Sequence, residues 1–247
     1  MGLITFGKTP RIILPDSNTQ LWYKLDDTAT PWVNSGQAGS LNLTEVAGTV
    51  RRAAATGLLS ACVDLIGTAA CLASANTSAC EPAQALTMSA WVFPHAFTKT
   101  FADIVMKQYR ANGTWTAPFE SLGLEMDSTT NGGWAFNLCT SATTTGVGVS
   151  SAGDRLRLAQ WQLVAGTYDG TTMRAYLNGN AVGTSTARSG NVDYGTHGRW
   201  CVGGNPANDA SSAQRWDGLI DDVRVESVVR SQAYLQLMYK YGMGLYE

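Results

Sequence analysis

The stretch Trp161–Val182, WQLVAGTYDGTTMRAYLNGNAV, constrains the fold of this chain more than any other. Trp161–Thr167 alternates bulky and small residues and stops at Asp169-Gly170; Met173–Leu177 is a second short run and stops at Asn178-Gly179. Asp-Gly and Asn-Gly between alternating runs are strong hairpin signals, because tight turns need positive φ at their centre. Three antiparallel strands in succession predict an all-β chain. The 26 glycines and the 15% share of charged residues suit many short strands joined by turns.

Further strands are predicted at Leu41–Val46, Gly57–Gly67, Leu86–Pro94, Phe101–Lys107, Ser121–Met126, Gly133–Cys139, Gly146–Ser150, Cys201–Gly203 and Asp217–Glu226. Residues 68–85 read as a long surface connection, and Asn191–Trp200 and Asn205–Gln214 as loops. Ser231–Tyr241 reads as a short helix, with Ser231 as N-cap and Gly242 as the stop. No linker separates two cores. The expected division is an N-terminal arm over residues 1–20 and one domain over 21–247. The apolar run Arg11-Ile12-Ile13-Leu14 between Pro10 and Pro15 cannot bury itself, so the arm is expected to pack on the domain or on a neighbouring chain.

Composition excludes several partners. A net charge of −2 leaves no electrostatic footprint for nucleic acid or an anionic membrane. No apolar run reaches the roughly 18 residues needed to span a bilayer. The first ten residues lack the apolar core of a signal peptide, and Phe6 stands where a myristoylation motif wants Ser or Thr. Cys62, Cys71, Cys80, Cys139 and Cys201 are odd in number and contain no Cys-x-x-Cys. They read as buried free thiols, with one disulfide among the first three as the alternative.

The hairpin stretch resembles the laminin-G-like, concanavalin-A-like lectin and glucanase jelly rolls, in which "W-φ-V-A-x-T-Y-D-G" is followed by "M-x-φ-Y-φ-(N/D)-G". Leu86-Thr87-Met88-Ser89-Ala90-Trp91-Val92 resembles that superfamily's "φ-T-φ-S-A-W-V" strand. Trp216–Val225 resembles its closing "F-x-G-x-I-D-D-V-R-I" strand, and Leu21–Asp27 its opening one. The resemblance implies a two-sheet antiparallel β-sandwich of jelly-roll topology, here with an N-terminal extended arm and a short C-terminal helix. Function does not follow from that fold.

Four sets of residues are candidates for chemistry. Glu125 and Asp127 share one face of a strand and resemble part of the laminarinase motif E-x-D-x-(x)-E, but Thr129 and Thr130 stand where the second acid belongs. A retaining glycosidase needs two carboxyls about 5–5.5 Å apart. Acidic and amide residues gather in the loops, among them Asn208 and Asp209. Most of these residues are explained as turn formers; because relatives hold calcium at the sandwich rim, the resemblance gives a calcium site as the alternative, with Asp26 and Asp217 as its ligands. Trp115, Trp134 and Trp200, with His197, lie in or beside polar loops and are the candidates for stacking a sugar or meeting a protein partner. Asp221 shares a strand face with Leu219, Val223 and Val225 and is expected inside, tying a neighbouring loop or tryptophan.

The expectation is a non-enzymatic binding module. One reading is a decoration or fibre-type protein on the surface of a tailed bacteriophage virion, made in the host cytoplasm, docking on other virion proteins or on itself as a homo-oligomer, and gripping host surface polysaccharide. Another is a stand-alone, calcium-assisted lectin. A glycoside hydrolase is the third.

Overall fold

A computed structural model describes residues 12–47, 51–52, 58–59, 61–65, 71–111, 117–127, 131–140, 147–150, 153–206 and 214–245. Among these residues the chain is all-β: two antiparallel sheets face each other and one short helix closes the C-terminal end. The first sheet runs β13 (Asn180–Ser185), β12 (Met173–Leu177), β11 (Gln162–Tyr168), β6 (Leu86–Pro94), β15 (Gly218–Glu226), β4 (Val63–Asp64) and β3 (Arg51–Arg52), with β1 (Thr19–Tyr23) also paired to β15. The second runs β10 (Val147–Ser150), β9 (Trp134–Leu138), β8 (Glu120–Met126), β7 (Asp103–Gln108), β14 (Trp200–Val202), β5 (Cys71–Ala73) and β2 (Thr44–Ala47).

The hairpin stretch forms β11, β12 and β13. Asn178 and Gly179 make the second turn at φ 53° and 78°, both left-handed as the sequence requires. The first connection is wider. Asp169 Oδ1 accepts from the backbone N–H groups of Thr171 (3.0 Å) and Thr172 (2.7 Å), so a four-residue loop is built on one carboxylate.

Alternation along the strands sends Met88, Ala90 and Val92 of β6 inward to meet Leu122, Leu124 and Phe136 of the other sheet. The sheets approach closely at Gly166, where a Cβ would overlap the buried ring of Phe136. On the outer side of the first sheet a second apolar cluster forms from Trp91, Leu163, Ala165 and Tyr176 of the sheet and Leu235 and Met238 of α1 (Gln232–Gly242). Ser231 caps α1 by accepting from the Tyr234 N–H at 3.2 Å. The helix runs through Gly242, whose missing side chain leaves room for the Trp91 ring; the left-handed glycine beyond its end is Gly244 at φ 65°. Gly242 is therefore a contact residue and not the stop.

Three further expectations are corrected. Residues 71–73 are a fully buried strand inside the second sheet, not part of a surface connection; three small or apolar residues carry too short a pattern to register as a strand. Trp200 opens β14 instead of ending a loop. Strict alternation along β15 fails because Asp222 sits at φ 46° and the register with β6 shifts between Asp221 and Arg224. Ile220, Val223 and Val225 enter the core, while Asp221 faces the outer side, where its Oδ2 accepts from the N–H groups of Leu58 (3.1 Å) and Leu59 (3.2 Å). It ties a loop, as expected, from the opposite face. Of the predicted arm, Ile13 packs on the outer cluster and Leu14 is 72% exposed. All five cysteines are buried and none forms a disulfide.

Because the Phe136 ring that a Cβ would overlap is fully buried, Gly166→Ala is expected to destabilise the fold by about 1–3 kcal/mol, the usual cost of overpacking a core. Urea unfolding of the variant checks this; an unchanged midpoint would contradict the close approach of the sheets.

Candidate ligand cleft

A cleft of about 470 Å³ opens at one end of the first sheet. Its walls are the segment 153–160, the β12–β13 turn and the helix. Leu156 anchors the segment: its side chain is buried in the main core and its N–H donates to the Gly132 carbonyl at 2.8 Å. Arg155 and Arg157 flank it and are exposed. Gln162, buried on β11, clamps the segment from below: Arg157 N–H donates to its Oε1 (3.0 Å) and its Nε2 donates to the Arg157 carbonyl (2.9 Å). Opposite, the Asn178 side chain accepts from the Leu163 N–H at 2.9 Å, and Gln236 of the helix donates to Asn180 Oδ1 at 3.3 Å. Tyr239 completes the wall, half-buried and stacked on Trp91 with centroids 5.8 Å apart. The cleft thus combines guanidinium, amide and carboxylate side chains with one aromatic ring on a rigid frame, and its size lies within the range of small-molecule sites.

The residues singled out by sequence lie elsewhere. Trp115, Asn208 and Asp209 fall outside the described residues. Trp134 and Trp200 are 0% and 1% exposed in the main core, so neither offers a ring to a ligand: their polar neighbours in sequence belong to strand ends, and the strands turn both rings inward. His197 is half exposed at φ 59°, with Nδ1 2.8 Å from Glu81 Oε2. Glu81 in turn pairs with the buried Lys107 at 3.1 Å, whose Nζ donates to the Thr77 and Gly198 carbonyls and lies over the Trp200 ring. His197 is the outer end of a polar chain that runs inward through Glu81 to Lys107. Asp26 lines a smaller cleft, about 320 Å³, beside Ile12, Leu14, Trp22, Asp221 and Asp222, whereas the Asp217 carbonyl accepts from the His95 N–H at 2.9 Å. Among the described residues no three carboxylate, thiol or imidazole groups gather as a metal site.

Glu125 has the acidic neighbours that the local sequence withheld. Asp103 of β7 is its register partner across the pair, and Glu120 stands on the same strand. Glu125 Oε1 accepts from Asn137 Nδ2 of β9. Burial pushes the carboxyls of Asp103, Glu120 and Glu125 up, Glu120 to about 7, and the charge of Glu120 pushes its two neighbours further. Arg215, bridged to Asp103, pulls that carboxyl back in part. Asp103 Oδ2 is buried without a hydrogen-bond partner.

The fold agrees with what the sequence matches. Residues 67–236, well over half of the chain, match the Laminin_G_3 family, described as the concanavalin A-like lectin/glucanases superfamily, and the protein belongs to it. Among solved structures it is similar to domain 4 of AbnA, a GH43 extracellular arabinanase from Geobacillus stearothermophilus, solved in complex with arabinotriose: 15% identity and a TM-score of 0.62 over 90% of this chain and 98% of that one. It is also similar to the binding domain of Paraclostridial Mosquitocidal Protein 1 (10%, TM-score 0.63, 90% and 52%). A third likeness is the ligand-binding domain of botulinum neurotoxin serotype D in complex with N-acetylneuraminic acid (12%, TM-score 0.62, 91% and 51%). The chain spans about half the length of these two toxin domains. At such identities the likeness is one of fold. No curated protein matches the chain.

The cleft residues Arg155, Arg157, Gln160 and Tyr239 were not among the sequence candidates. The signal that could have found them is the alternation Arg155-Leu156-Arg157, two charges around one apolar residue in a chain sparing with charge.

Titration of the buried acids has a definite sign. Unfolded Glu120 and Asp221 ionise near 4.5 and 3.8; folding raises them to about 7 and about 8, Asp221 through burial and then the charge of Asp222. Between those values the folded protein keeps protons the unfolded chain has lost, so the stability present at the acidic end of this window is lost as pH rises through the folded values. The unfolding temperature is expected to fall between about pH 5 and pH 8.5, and Glu120→Gln and Asp221→Asn to flatten the slope. A slope that rises, or one that both variants leave intact, would contradict the assignment.

Proposed function

We propose that the protein is a non-catalytic carbohydrate-binding module whose ligand occupies the cleft between segment 153–160, the β12–β13 turn and α1. The observation that carries this reading is the lining itself. Sugars present hydroxyls in pairs and one flat apolar face, and are met by planar amides, guanidinium groups and an aromatic ring held rigidly. Gln160, Asn180, Arg155, Arg157 and Tyr239 supply those groups, and Gln162 and Trp91 hold them in place. Membership of a lectin and glucanase superfamily supports it, as do neighbours solved with arabinotriose and with N-acetylneuraminic acid. The non-catalytic reading is supported by Thr129 and Thr130, which stand in the sequence where the second acid of the E-x-D-x-(x)-E motif belongs. Asp154 is the cleft's only carboxylate among the described residues, so binding is expected to survive EDTA.

A virion-surface role, with docking on other virion proteins or on a second copy, is the second reading. It is favoured by Leu14, which stays 72% exposed at the edge of the smaller cleft together with the apolar Ile12. Light scattering during size-exclusion chromatography separates the two: an oligomer supports docking, and a monomer that ignores virion shells removes it.

A panel of immobilised oligosaccharides is expected to return at least one ligand. Gln160→Ala and Asn180→Ala should each weaken that ligand about 3- to 10-fold, the loss of one hydrogen bond worth about 0.5–1.5 kcal/mol. A flat response across the panel, or affinity indifferent to both variants, would overturn the reading.

A further inference from the structure

We propose that this cleft selects acidic saccharides, with the ligand's anionic group held by Arg155 and Arg157. The inference rests on the carbohydrate reading and adds the class of sugar.

Among the described residues neither guanidinium group has a partner. Three other arginines are engaged: Arg174 pairs with Asp169 at 2.8 Å, Arg224 with Asp222 at 3.1 Å, and Arg230 with both Asp16 and Glu226. Among the described residues the side chains of Arg155 and Arg157 make no ion pair or hydrogen bond, although Asp154 adjoins Arg155 in sequence and lines the same cleft. Two arginines against one aspartate leave a positive surplus in the cleft of a protein whose net charge is −2.

Their placement is fixed by the fold. Leu156 is buried, so the side chains on either side of it project together away from the core. Gln162 holds Arg157 through both its N–H and its carbonyl, and the Ala159 N–H donates to the Pro94 carbonyl at 3.0 Å. A backbone held this firmly loses little freedom when the side chains close on a ligand, which is how preorganisation raises affinity. The guanidinium fork matches a planar carboxylate or a sulfate ester through two parallel N–H···O bonds. A sugar ring bearing such a group would reach Tyr239 and Asn180 across the cleft while its anion meets the arginines. A neutral sugar leaves both guanidinium groups with water alone.

The test is calorimetric titration of the whole chain with matched saccharides: a neutral oligosaccharide, its uronate-containing counterpart, a sialylated one and a sulfated one. The acidic members are expected to bind about ten-fold tighter than the neutral one, equivalent to about 1.4 kcal/mol. The preference should shrink as salt is raised, because the pair is exposed. In R155Q/R157Q the ratio of acidic to neutral affinity should collapse toward one, with the unfolding temperature unchanged because both side chains lie outside the core. R155K/R157K should keep part of the preference, since charge remains but the fork is gone. Tighter binding of the uronate, the sialylated or the sulfated member each supports the proposal and identifies the acid. Equal affinity for neutral and acidic members, or a preference that R155Q/R157Q leaves intact, overturns it while the carbohydrate reading stands. No binding to any saccharide overturns both.

Discussion

Trp91 determines how the outer face of the first sheet is finished. It sits on β6, in the middle of that sheet, and its ring points away from the main core. An indole left there would expose an area of about 150–250 Å² to water. The chain covers it with its last element: α1 lies over the ring, Gly242 brings the helix against it without a side chain in the way, and Tyr239 stacks on it. Everything at the cleft follows from where this places the helix. Gly179 of the β12–β13 turn abuts the backbone of Gln236, and Gln236 reaches Asn180. The open space between helix, turn and segment 153–160 is the part of the outer face that the helix does not fill.

The two outer faces have been given different work. On the first sheet the exterior is apolar and roofed, with polar chemistry pushed to its rim. On the second, carboxyls sit close together across β7 and β8, raised by burial and by one another, with Arg215 and Asn137 as partners. That cluster costs stability as pH rises, and its acids shift in a single direction. Side chains that are both exposed and rigidly based lie instead at the rim of the first sheet.

The fold was largely legible in the sequence because its signals are local. Asn178-Gly179 dictates a left-handed turn, Leu86–Pro94 a long buried strand, and Ser231 a helix start, and each is found where those residues require it. What failed depended on partners distant in sequence. Residues 71–73 are a strand only because β14 and β2 lie on either side. β15 switches faces at Asp222, where β4 and β1 divide its edge between them. Trp134 and Trp200 have polar neighbours along the chain and apolar ones in space. The cleft was illegible for the same reason: Arg155, Asn180 and Tyr239 come from three separate elements, and no short motif holds them.

The most direct test is a crystal structure of the protein soaked with the tightest saccharide ligand found. The account predicts sugar density in the cleft, with a ring against Tyr239 and hydroxyls within hydrogen-bond distance of Gln160 and Asn180. Density instead over the acids of the second sheet, with Glu125 and Asp103 on the sugar, would contradict it.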